Sequence, residues 1–366
     1  MSEYSEESGA LDTDLLQVIH AWHRYGTELS GADFNHLALR VFAYQLRYNR
    51  PYAQYCASVG ISLQAMPDTW EAIPPVPSAA FKGASIATFD TAHAALTFET
   101  SGTTLGRGGR HYMENAALYD AALLAGFDVF VLSDALLLRY FNAVPNPALN
   151  PHSSLGYMMA QISAQRGDGR TGWYITDESI LANAFAQDLR AAIDDGAPVC
   201  VAGTAFGLVA LLDTFSESKD RFTLPPGSRI METGGFKGRS RVLSREDFYA
   251  QIAATFGVDR RAIVAEYGMT ELTSQYYDSA HSREQSLRVK ISPPWLRARV
   301  VDAAGATVPN GIVGALVHVD LANRSSALAI GTEDLGCMTD DGLVLLGREA
   351  GAALRGCSLD AEDLRV

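Results

Sequence analysis

The segment Thr100-Ser-Gly-Thr-Thr-Leu-Gly-Arg-Gly-Gly-Arg110 concentrates four hydroxyl side chains and four glycines in eleven residues. It directly follows an apolar run, Ala94-Ala-Leu-Thr-Phe-Glu99, that is typical of an extended strand. Glycine adopts positive φ angles at little cost, so the backbone N–H groups of such a segment can curve around an anion. The hydroxyls add further donors, and Arg107 and Arg110 add positive charge. The composition therefore favours a loop that binds a polyphosphate, with a flexible surface loop as the alternative.

Three familiar motifs do not explain the sequence. The glycine-rich segment lacks the Gly-Lys-[Ser/Thr] ending of a P-loop, and its glycine spacing differs from the dinucleotide-binding fingerprint. A second segment, Gly203-Thr-Ala-Phe-Gly207, has the spacing of a hydrolase nucleophile elbow, but Ala205 stands where the nucleophile would be. A serine hydrolase is therefore not expected.

The composition limits the class of protein. The chain has 366 residues, of which 48% are hydrophobic, and this is enough to bury a large core. No apolar run reaches the ~18 residues that span a bilayer, and the acidic start does not resemble a signal peptide. The net charge of −13 argues against general nucleic-acid binding. The four cysteines have neither CxxC spacing nor histidines at zinc intervals, which indicates free thiols and a cytoplasmic protein.

The order of apolar runs and turns predicts an α/β fold. Residues 12 to 60 have the spacing of helices, and Asn115 to Val131 is predicted to form a helix packed against the glycine-rich segment. Strands alternating with helices predict mostly parallel sheets flanked by helices, with ligands at the carboxyl ends of the strands. From Leu296 onward, alternating runs predict a small antiparallel β subdomain. Three predicted strands end in a turn: Val199–Phe206, Arg229–Gly235 and Ala262–Gly268.

Three later strand ends carry groups that suit a nucleotide. Met231–Arg241 combines the glycine pair Gly234-Gly235, which lets the backbone approach a flat ring, with three cations. Glu266–Glu271 offers an aromatic ring to stack on a base, a hydroxyl for a phosphate and a carboxylate for Mg²⁺. Thr332–Gly336, followed by Leu346–Arg348, offers Asp334 as an acceptor for ribose hydroxyls. Each of these segments also has a purely structural interpretation. The first would be a basic turn, the second an ordinary strand and turn, and the third a charged β-turn.

In their order along the chain, these motifs resemble the adenylate-forming superfamily of acyl- and aryl-CoA ligases, luciferases and adenylation domains. The closer resemblance is to the acyl-protein synthetases of the LuxE type, which activate fatty acids and are related to phenylacetate–CoA ligases. It spans about residues 30 to 360 and implies the N-terminal-domain fold of the superfamily, without its usual separate C-terminal domain. The segments that carry it are Phe34–Tyr52, Pro151–Met158, Glu232–Ser240, Tyr267–Gln275 and Arg355–Ser358.

The resemblance implies a two-step reaction that uses ATP and Mg²⁺. A fatty or related carboxylic acid displaces pyrophosphate to give an acyl-adenylate, and a thiol then takes the acyl group and releases AMP. Thr270 would contact the α-phosphate, Glu271 would bind Mg²⁺, and Arg348 would lie at the hinge beside the ribose. The other residues implied to bind ATP are Thr100, Ser101, Gly102, Thr103, Thr104, Thr233, Gly234, Gly235, Tyr267, Gly268 and Asp334.

Two further residues, Lys237 and Cys357, are candidates for catalysis. Most superfamily members place a catalytic lysine in a further domain, whereas eighteen residues follow Arg348 here and none is lysine. We therefore expect Lys237 to stabilise the adenylation transition state. The acyl-protein synthetases are acylated on a cysteine near the C-terminus, and Cys357 matches that setting, with an incidental cysteine as the alternative. The neighbouring Arg355 would favour the reactive thiolate.

The expected organisation is a helical segment over residues 1–60, an adenylation domain over 61–346 with its β subdomain from about 290, and a tail over 347–366. His111, His152 and Tyr157 are candidates for the acid-binding side, with structural histidines as the alternative. The acyl group would pass to a partner protein such as a reductase, an acyltransferase or a carrier protein. CoA is the alternative acceptor, and a nucleotide-binding subunit without catalysis is a second alternative.

Overall fold

The computed structural model describes residues 3–100, 108–132, 134, 137–176, 179–234, 244–285 and 287–348. The chain divides into two compact units. Unit 1 consists of Met1–Gly126, Met269–Gln275 and Ile291–Val366, and unit 2 consists of Phe127–Gly268 and Tyr276–Lys290. The domain boundaries expected from the sequence differ from this division and stay a prediction.

The described residues form eight α-helices and fourteen β-strands. The helices are α1 (Glu3–Tyr25), α2 (Gly31–Tyr48), α3 (Arg50–Ser58), α4 (Ala117–Phe130), α5 (Ser154–Arg166), α6 (Ala182–Asp194), α7 (Ala205–Ser218) and α8 (Arg245–Phe256). The strands are β1 (Val76–Pro77), β2 (Leu96–Glu99), β3 (Arg110–Met113), β4 (Arg139–Pro145), β5 (Gly172–Ile175), β6 (Val199–Thr204), β7 (Arg229–Thr233), β8 (Ile263–Tyr267), β9 (Tyr276–Asp278), β10 (Val289–Ile291), β11 (Leu296–Val301), β12 (Gly314–Asp320), β13 (Ala329–Thr339) and β14 (Gly342–Arg348).

Unit 1 begins with the helices that the sequence predicted. The apolar face of α1 recurs every three or four residues, so its members are buried on one side of the helix: Leu11, Leu15, Ile19 and Trp22. The side chain of Ser30 accepts a hydrogen bond from the backbone N–H of Asp33 and thereby caps α2. None of the described helices combines the length and the apolar character needed to cross a membrane.

The sheet of unit 1 is largely antiparallel, as predicted from Leu296 onward. The strands follow the order β11-β12-β13-β14, each antiparallel to its neighbour, and β1 adds a parallel pair with β13. Thr332–Gly336, for which a charged turn was the alternative, lies inside β13. Asp334 therefore occupies a strand position with a defined partner.

A buried arginine connects distant parts of unit 1. The guanidinium of Arg324 donates to both carboxylate oxygens of Asp12 at 2.8 Å and to Glu114 Oε2 at 2.7 Å. Its side chain is 2% exposed, so the two carboxylates compensate a charge that would be costly to bury alone. The bonds join α1, the residue that follows β3 and the loop that follows β12.

The glycine-rich segment is flanked by two antiparallel strands of unit 1. β2 pairs with β3 in a register that sets Glu99 opposite Arg110. The helix that the sequence predicted over Asn115 to Val131 is present as α4, from Ala117 to Phe130. It is preceded by β3, a strand that the sequence analysis did not predict.

Unit 2 contains the mostly parallel sheet that the sequence predicted. Its strands follow the order β10-β9-β8-β7-β6-β4-β5. The pairs from β5 through β8 are parallel, and β9 is antiparallel to β8. Helices α6, α7 and α8 pack on it through an aromatic cluster that includes Phe185, Phe215 and Phe256. Parallel strands whose faces are covered by helices carry continuous apolar runs, which explains the strand signals in the sequence.

A cluster of charged side chains lies inside unit 2. Arg288 Nη1 is 2.6 Å from Asp278 Oδ2, and Lys290 Nζ is 3.0 Å from Asp278 Oδ1. Burial alone would raise the pKa of Asp278, but the charges of Lys290 and Arg288 hold that pKa below its usual value. The carboxylate also accepts the N–H of Ala265 at 2.9 Å, so it fastens β9 to β8.

The turn from β6 to α7 explains the elbow-like sequence Gly203–Gly207. Thr204 caps α7 by accepting the N–H of Gly207 at 3.0 Å. A Cβ at Gly203 would lie 2.9 Å from the Cβ of Ala143, and a Cβ at Gly207 would lie 2.9 Å from its carbonyl oxygen. The two glycines therefore serve the close packing of β6 and α7 against β4.

Gly203→Ala should lower the free energy of unfolding by about 1–3 kcal/mol, because the added methyl overpacks the contact with Ala143. Denaturant titration measures the change. Gly9→Ala is the matched control, since nothing lies within 4 Å of a Cβ there and alanine favours the helix by ~1 kcal/mol. Equal effects of the two substitutions would contradict the packing argument.

Candidate active site

In unit 1, hydrogen bonds close the base of the glycine-rich segment. Thr100 N donates to Gly109 O at 2.9 Å, and Gly109 N donates to Thr100 Oγ1 at 2.7 Å. A Cβ at Gly108 would lie 2.4 Å from Thr100 O, so any side chain there would force the two strands apart. Four of the predicted phosphate-binding residues lie outside the described residues: Ser101, Gly102, Thr103 and Thr104.

Arg110 forms an ion pair across the hairpin. Its Nε is 2.9 Å from Glu99 Oε1, and the two residues are directly opposite in the register of β2 and β3. Roughly half of the Arg110 side chain is exposed, so the pair adds little to stability. Glu99 therefore offsets the positive charge that Arg110 was expected to add to the loop.

His111 is a buried, neutral histidine that contacts the backbone of Thr270. Its Nδ1 lies 2.7 Å from Thr270 O, and because a carbonyl only accepts, Nδ1 must carry the hydrogen. Burial lowers the pKa of His111 to about 4. Nε2 is then an acceptor, and it has no hydrogen-bond partner among the described residues. A role of His111 in substrate binding stays a prediction.

The segment after β8 is held by side chains from the end of β12 and the loop that follows. Asn323 Nδ2 donates to Glu271 O at 2.9 Å. Asp320 Oδ2 accepts the N–H groups of Thr273 and Ser274 at 2.9 and 2.8 Å. The side chain of Glu271 is buried, and it is a hard oxygen donor of the kind that Mg²⁺ prefers. Within the described ranges, no three His, Cys, Asp or Glu side chains form a group that could hold a metal ion by themselves.

Asp334 lies opposite Arg348 in the pairing of β13 with β14. Its backbone N–H donates to Thr332 Oγ1 at 3.2 Å, and its side chain is partly buried. The two residues expected beside the ribose are thus brought to neighbouring positions of unit 1. Of Arg348, the backbone position alone is described.

In unit 2, the predicted adenine-binding residues gather where two parallel strands end. Thr233 and Glu266 are register partners at the carboxyl ends of β7 and β8, and the Thr233 hydroxyl donates to the Glu266 carboxylate. Gly234 follows with φ 79°, a conformation that favours glycine. Tyr267 is 8% exposed, and its ring centroid lies 5.8 Å from that of Tyr276.

Glu266 is a buried carboxyl with a raised pKa. Burial raises the pKa from an ordinary value of 4.5 to about 7, against the lowering effects of the Thr233 hydrogen bond and the Lys290 charge. On the adjacent strand, Glu232 is also buried, and its Oε1 accepts the hydroxyl of Tyr249 at 2.7 Å. Burial raises the pKa of Glu232 as well.

The two residues predicted on the acid-binding side of unit 2 flank the start of α5. His152 is exposed and precedes Ser153, whose side chain caps the helix by accepting the N–H of Gly156 at 3.0 Å. Tyr157 is partly buried in the first turn. A Cβ at Gly156 would lie 3.1 Å from Pro145 O, so α5 starts beside the carboxyl end of β4. Gly235, Lys237 and Cys357 lie outside the described residues.

Sequence reasoning missed three residues that shape these clusters: Asp320, Asn323 and Glu266. Asp320 and Asn323 follow an alternating strand, where polar residues usually indicate a turn. Glu266 belongs to a motif that the sequence analysis singled out, yet no role was assigned to it. A polar side chain at the buried end of an apolar strand was the available signal.

Comparison with known proteins identifies the class. The family model "Acyl-protein synthetase, LuxE" matches residues 169–363, which is more than half of the chain. The chain therefore belongs to the LuxE acyl-protein synthetase family. Comparison with curated proteins gave no match.

Two solved structures have the same fold as this chain. An open conformation of 2-hydroxyisobutyryl-CoA ligase, in complex with 2-HIB-AMP and CoA, superposes with a TM-score of 0.63 at 15% identity, covering 88% of this chain and 76% of that chain. McyG A-PCP, complexed with phenylalanyl-adenylate, superposes with a TM-score of 0.50 at 19% identity and covers 71% of this chain. This chain spans 42% of the length of McyG A-PCP.

Glu266→Gln should flatten the pH dependence of stability. The folded carboxyl keeps its proton up to about pH 7, whereas the unfolded one loses it near 4.5, so the wild type should lose stability as the pH rises from 5 to 8. Glutamine has no proton to release, and urea titrations across this range should show a smaller slope. The exposed Glu217→Gln serves as the control. Equal slopes in the wild type and Glu266→Gln would contradict the raised pKa.

Proposed function

We propose that this chain activates a carboxylic acid with ATP as an acyl-adenylate and then transfers the acyl group to a thiol. The observation that carries the proposal is the match to the acyl-protein synthetase family over residues 169–363. That range includes the segment Tyr267–Glu271, Asp334, Arg348 and Cys357. The free thiols of Cys56, Cys200 and Cys337 suit a reducing compartment, so we place the activity in the cytoplasm.

The proposed chemistry has two displacements. A carboxylate oxygen of the acid forms a bond to the α-phosphorus of ATP, and the bond to the leaving pyrophosphate breaks. A thiolate then forms a bond to the acyl carbon, and AMP leaves with the electron pair of the carbon–oxygen bond. The thiol proton passes to solvent. We propose a fatty or related acid as the substrate class.

A first group of residues is proposed for the phosphate and ribose contacts. Thr100 and the three hydroxyls that follow it would bind the β- and γ-phosphates, and Thr270 would contact the α-phosphate. Asp334 would accept the ribose hydroxyls, with Arg348 opposite it. Glu271 would provide the protein ligand for Mg²⁺, which fits an ion that binds one or two carboxylates together with substrate phosphates. When bound, Mg²⁺ supplies positive charge against the charge that develops on the phosphoryl oxygens.

A second group of residues is proposed for the base and acid contacts. Thr233, Gly234 and Gly235 would line the adenine, and Tyr267, followed by Gly268, would stack on it. His152 and Tyr157, at the start of α5, would border the acid, and His111 stays a second candidate for that role.

Lys237 is the proposed cation for the adenylation transition state. It belongs to the segment that holds the two glycines of the proposed adenine site. An ammonium group in such a segment would stabilise the negative charge that builds up on the pentavalent phosphorus.

Thr270→Val, Glu271→Gln and Lys237→Ala should each lower acid-dependent pyrophosphate release by about 10²-fold or more, because each removes a group that stabilises the transition state. A continuous pyrophosphate assay across a panel of aliphatic and aromatic acids measures the effect and identifies the substrate. Thr214→Val and Glu217→Gln are the matched controls, since both lie on α7 and neither has a proposed role. Unchanged release in Lys237→Ala would remove that residue from the mechanism.

Cys357→Ser should still release pyrophosphate in a first turnover but should lose covalent acylation. The wild type should carry an acyl group that hydroxylamine removes, because a thioester is cleaved by that nucleophile. Cys337→Ser, on β13, is the control and should still be acylated. Acylation that persists in Cys357→Ser would exclude this thiol, and thioester formation on added CoA would favour a CoA ligase instead.

A further inference from the structure

We propose that His111, Asp320 and Asn323 are positioning residues that set the place of Thr270 and Glu271. The inference rests on the proposed function, because it assigns a purpose to side chains that do not themselves contact the nucleotide. All of these residues belong to unit 1.

The carbonyl groups of Thr270 and Glu271 are each held by a side chain. Thr270 O accepts the Nδ1 hydrogen of His111 at 2.7 Å. Glu271 O accepts from Asn323 Nδ2 at 2.9 Å, and the second hydrogen of that amide goes to Ala327 O at 2.8 Å. Both backbone carbonyls of the pair are therefore fixed in direction, and the side chains that leave the same backbone are fixed with them.

The N–H groups just beyond are held by one carboxylate. Asp320 Oδ2 accepts from Thr273 N and Ser274 N, and Oδ1 accepts from Ser274 Oγ at 2.9 Å and Ala322 N at 3.1 Å. Asn323 Oδ1 also accepts from Thr273 Oγ1 at 3.2 Å. The carboxylate is thus saturated with donors, and a substitution that removes an acceptor oxygen leaves several buried donors without a partner.

The segment that contains Thr270 and Glu271 depends on these side-chain contacts more than a strand would. It follows β8 and makes one turn, in which Leu272 N donates to Met269 O at 3.1 Å. A strand takes its position from a ladder of backbone bonds, whereas here side chains from β3 and from the end of β12 supply the bonds. His111 and Asp320 are fully buried and Asn323 is 1% exposed, so water does not compete for the same groups.

His111 also connects two elements that the proposed function uses together. It lies on β3, which begins directly after the glycine-rich segment. Its Nδ1 bond therefore ties the strand that leaves that segment to the backbone of Thr270. A small displacement of a catalytic group can cost ~10²-fold in rate, so loss of the hydrogen bond from His111 to Thr270 should lower the rate.

His111→Leu and Asp320→Asn should lower kcat for acid-dependent pyrophosphate release, measured per folded molecule, by about tenfold or more. His111→Asn should lower kcat less than His111→Leu does, because the asparagine Nδ2 lies as many bonds from the backbone as the histidine Nδ1 and can still donate to Thr270 O. The asparagine has no counterpart of Nε2 and would lose the interaction of the imidazole ring with the Asn323 side chain, so some loss of kcat is still expected. Hydrogen exchange of the amides in residues 270–275 is read in parallel and should be faster in His111→Leu and Asp320→Asn.

Tyr52→Phe is the control for lost stability alone. It removes a hydrogen bond from Tyr52 Oη to Pro74 O, 2.6 Å long and in the same unit, so it should lower Tm and leave kcat unchanged. An unchanged kcat in His111→Leu, or an equal loss in His111→Asn, would overturn the inference. If the wild-type chain released no pyrophosphate with any acid, the proposed function would fail. Exchange over residues 270–275 would then decide the positioning role separately, because unchanged exchange in His111→Leu would overturn it.

Discussion

Backbone that leaves a strand and stays buried must find hydrogen bonds somewhere else. This constraint shapes the described segment from Gly268 to Gln275, which lies between β8 and β9 and belongs to neither strand. The bonds come from a histidine, an asparagine and an aspartate, which lie far from this segment in sequence. The segment owes its position to side chains that lie outside it.

Buried carboxyl groups in unit 2 likewise need partners. Asp278 is fully buried, and it is compensated by two cations and by the N–H of Ala265. Glu266 has weaker compensation, so it holds a proton into the neutral range. Two carboxyls on adjacent strands of one sheet thus take different protonation states because their partners differ. Burial also raises the pKa of Glu232 on β7, so burial acts in the same direction on the carboxyls of both strands, β7 and β8.

Much of the fold could be predicted from the spacing of apolar residues and from the glycines and turn residues between the apolar runs. Val199–Ala202 and Ile263–Ala265 are apolar throughout, and this indicates strands covered on both faces. The helices of the first sixty residues followed from their spacing. The strand β3 was missed because Arg110–Met113 is short and polar, and its strand character comes from pairing with β2.

The candidate site was predictable where a motif carries it and not where tertiary contacts do. Thr233 and Tyr267 were singled out because glycines follow the ends of their strands, and Asp334 because of the motif that contains it; their roles stay predictions. Asp320 and Asn323 were not, because hydrogen bonds between residues about 50 positions apart leave no local pattern. The ion pair of Arg110 with Glu99 was missed for a related reason, since it depends on the register of a hairpin.

The contact between Asp12 and Arg324 spans 312 positions of the chain. Unit 2 is complete once Lys290 has been synthesised, whereas unit 1 needs strands that come after it. On the ribosome, the parallel sheet can therefore assemble while α1 and its neighbours still lack the surface that covers them. During synthesis the ring of Trp22 therefore lacks its packing partner until Trp295 has been added, about 270 residues later.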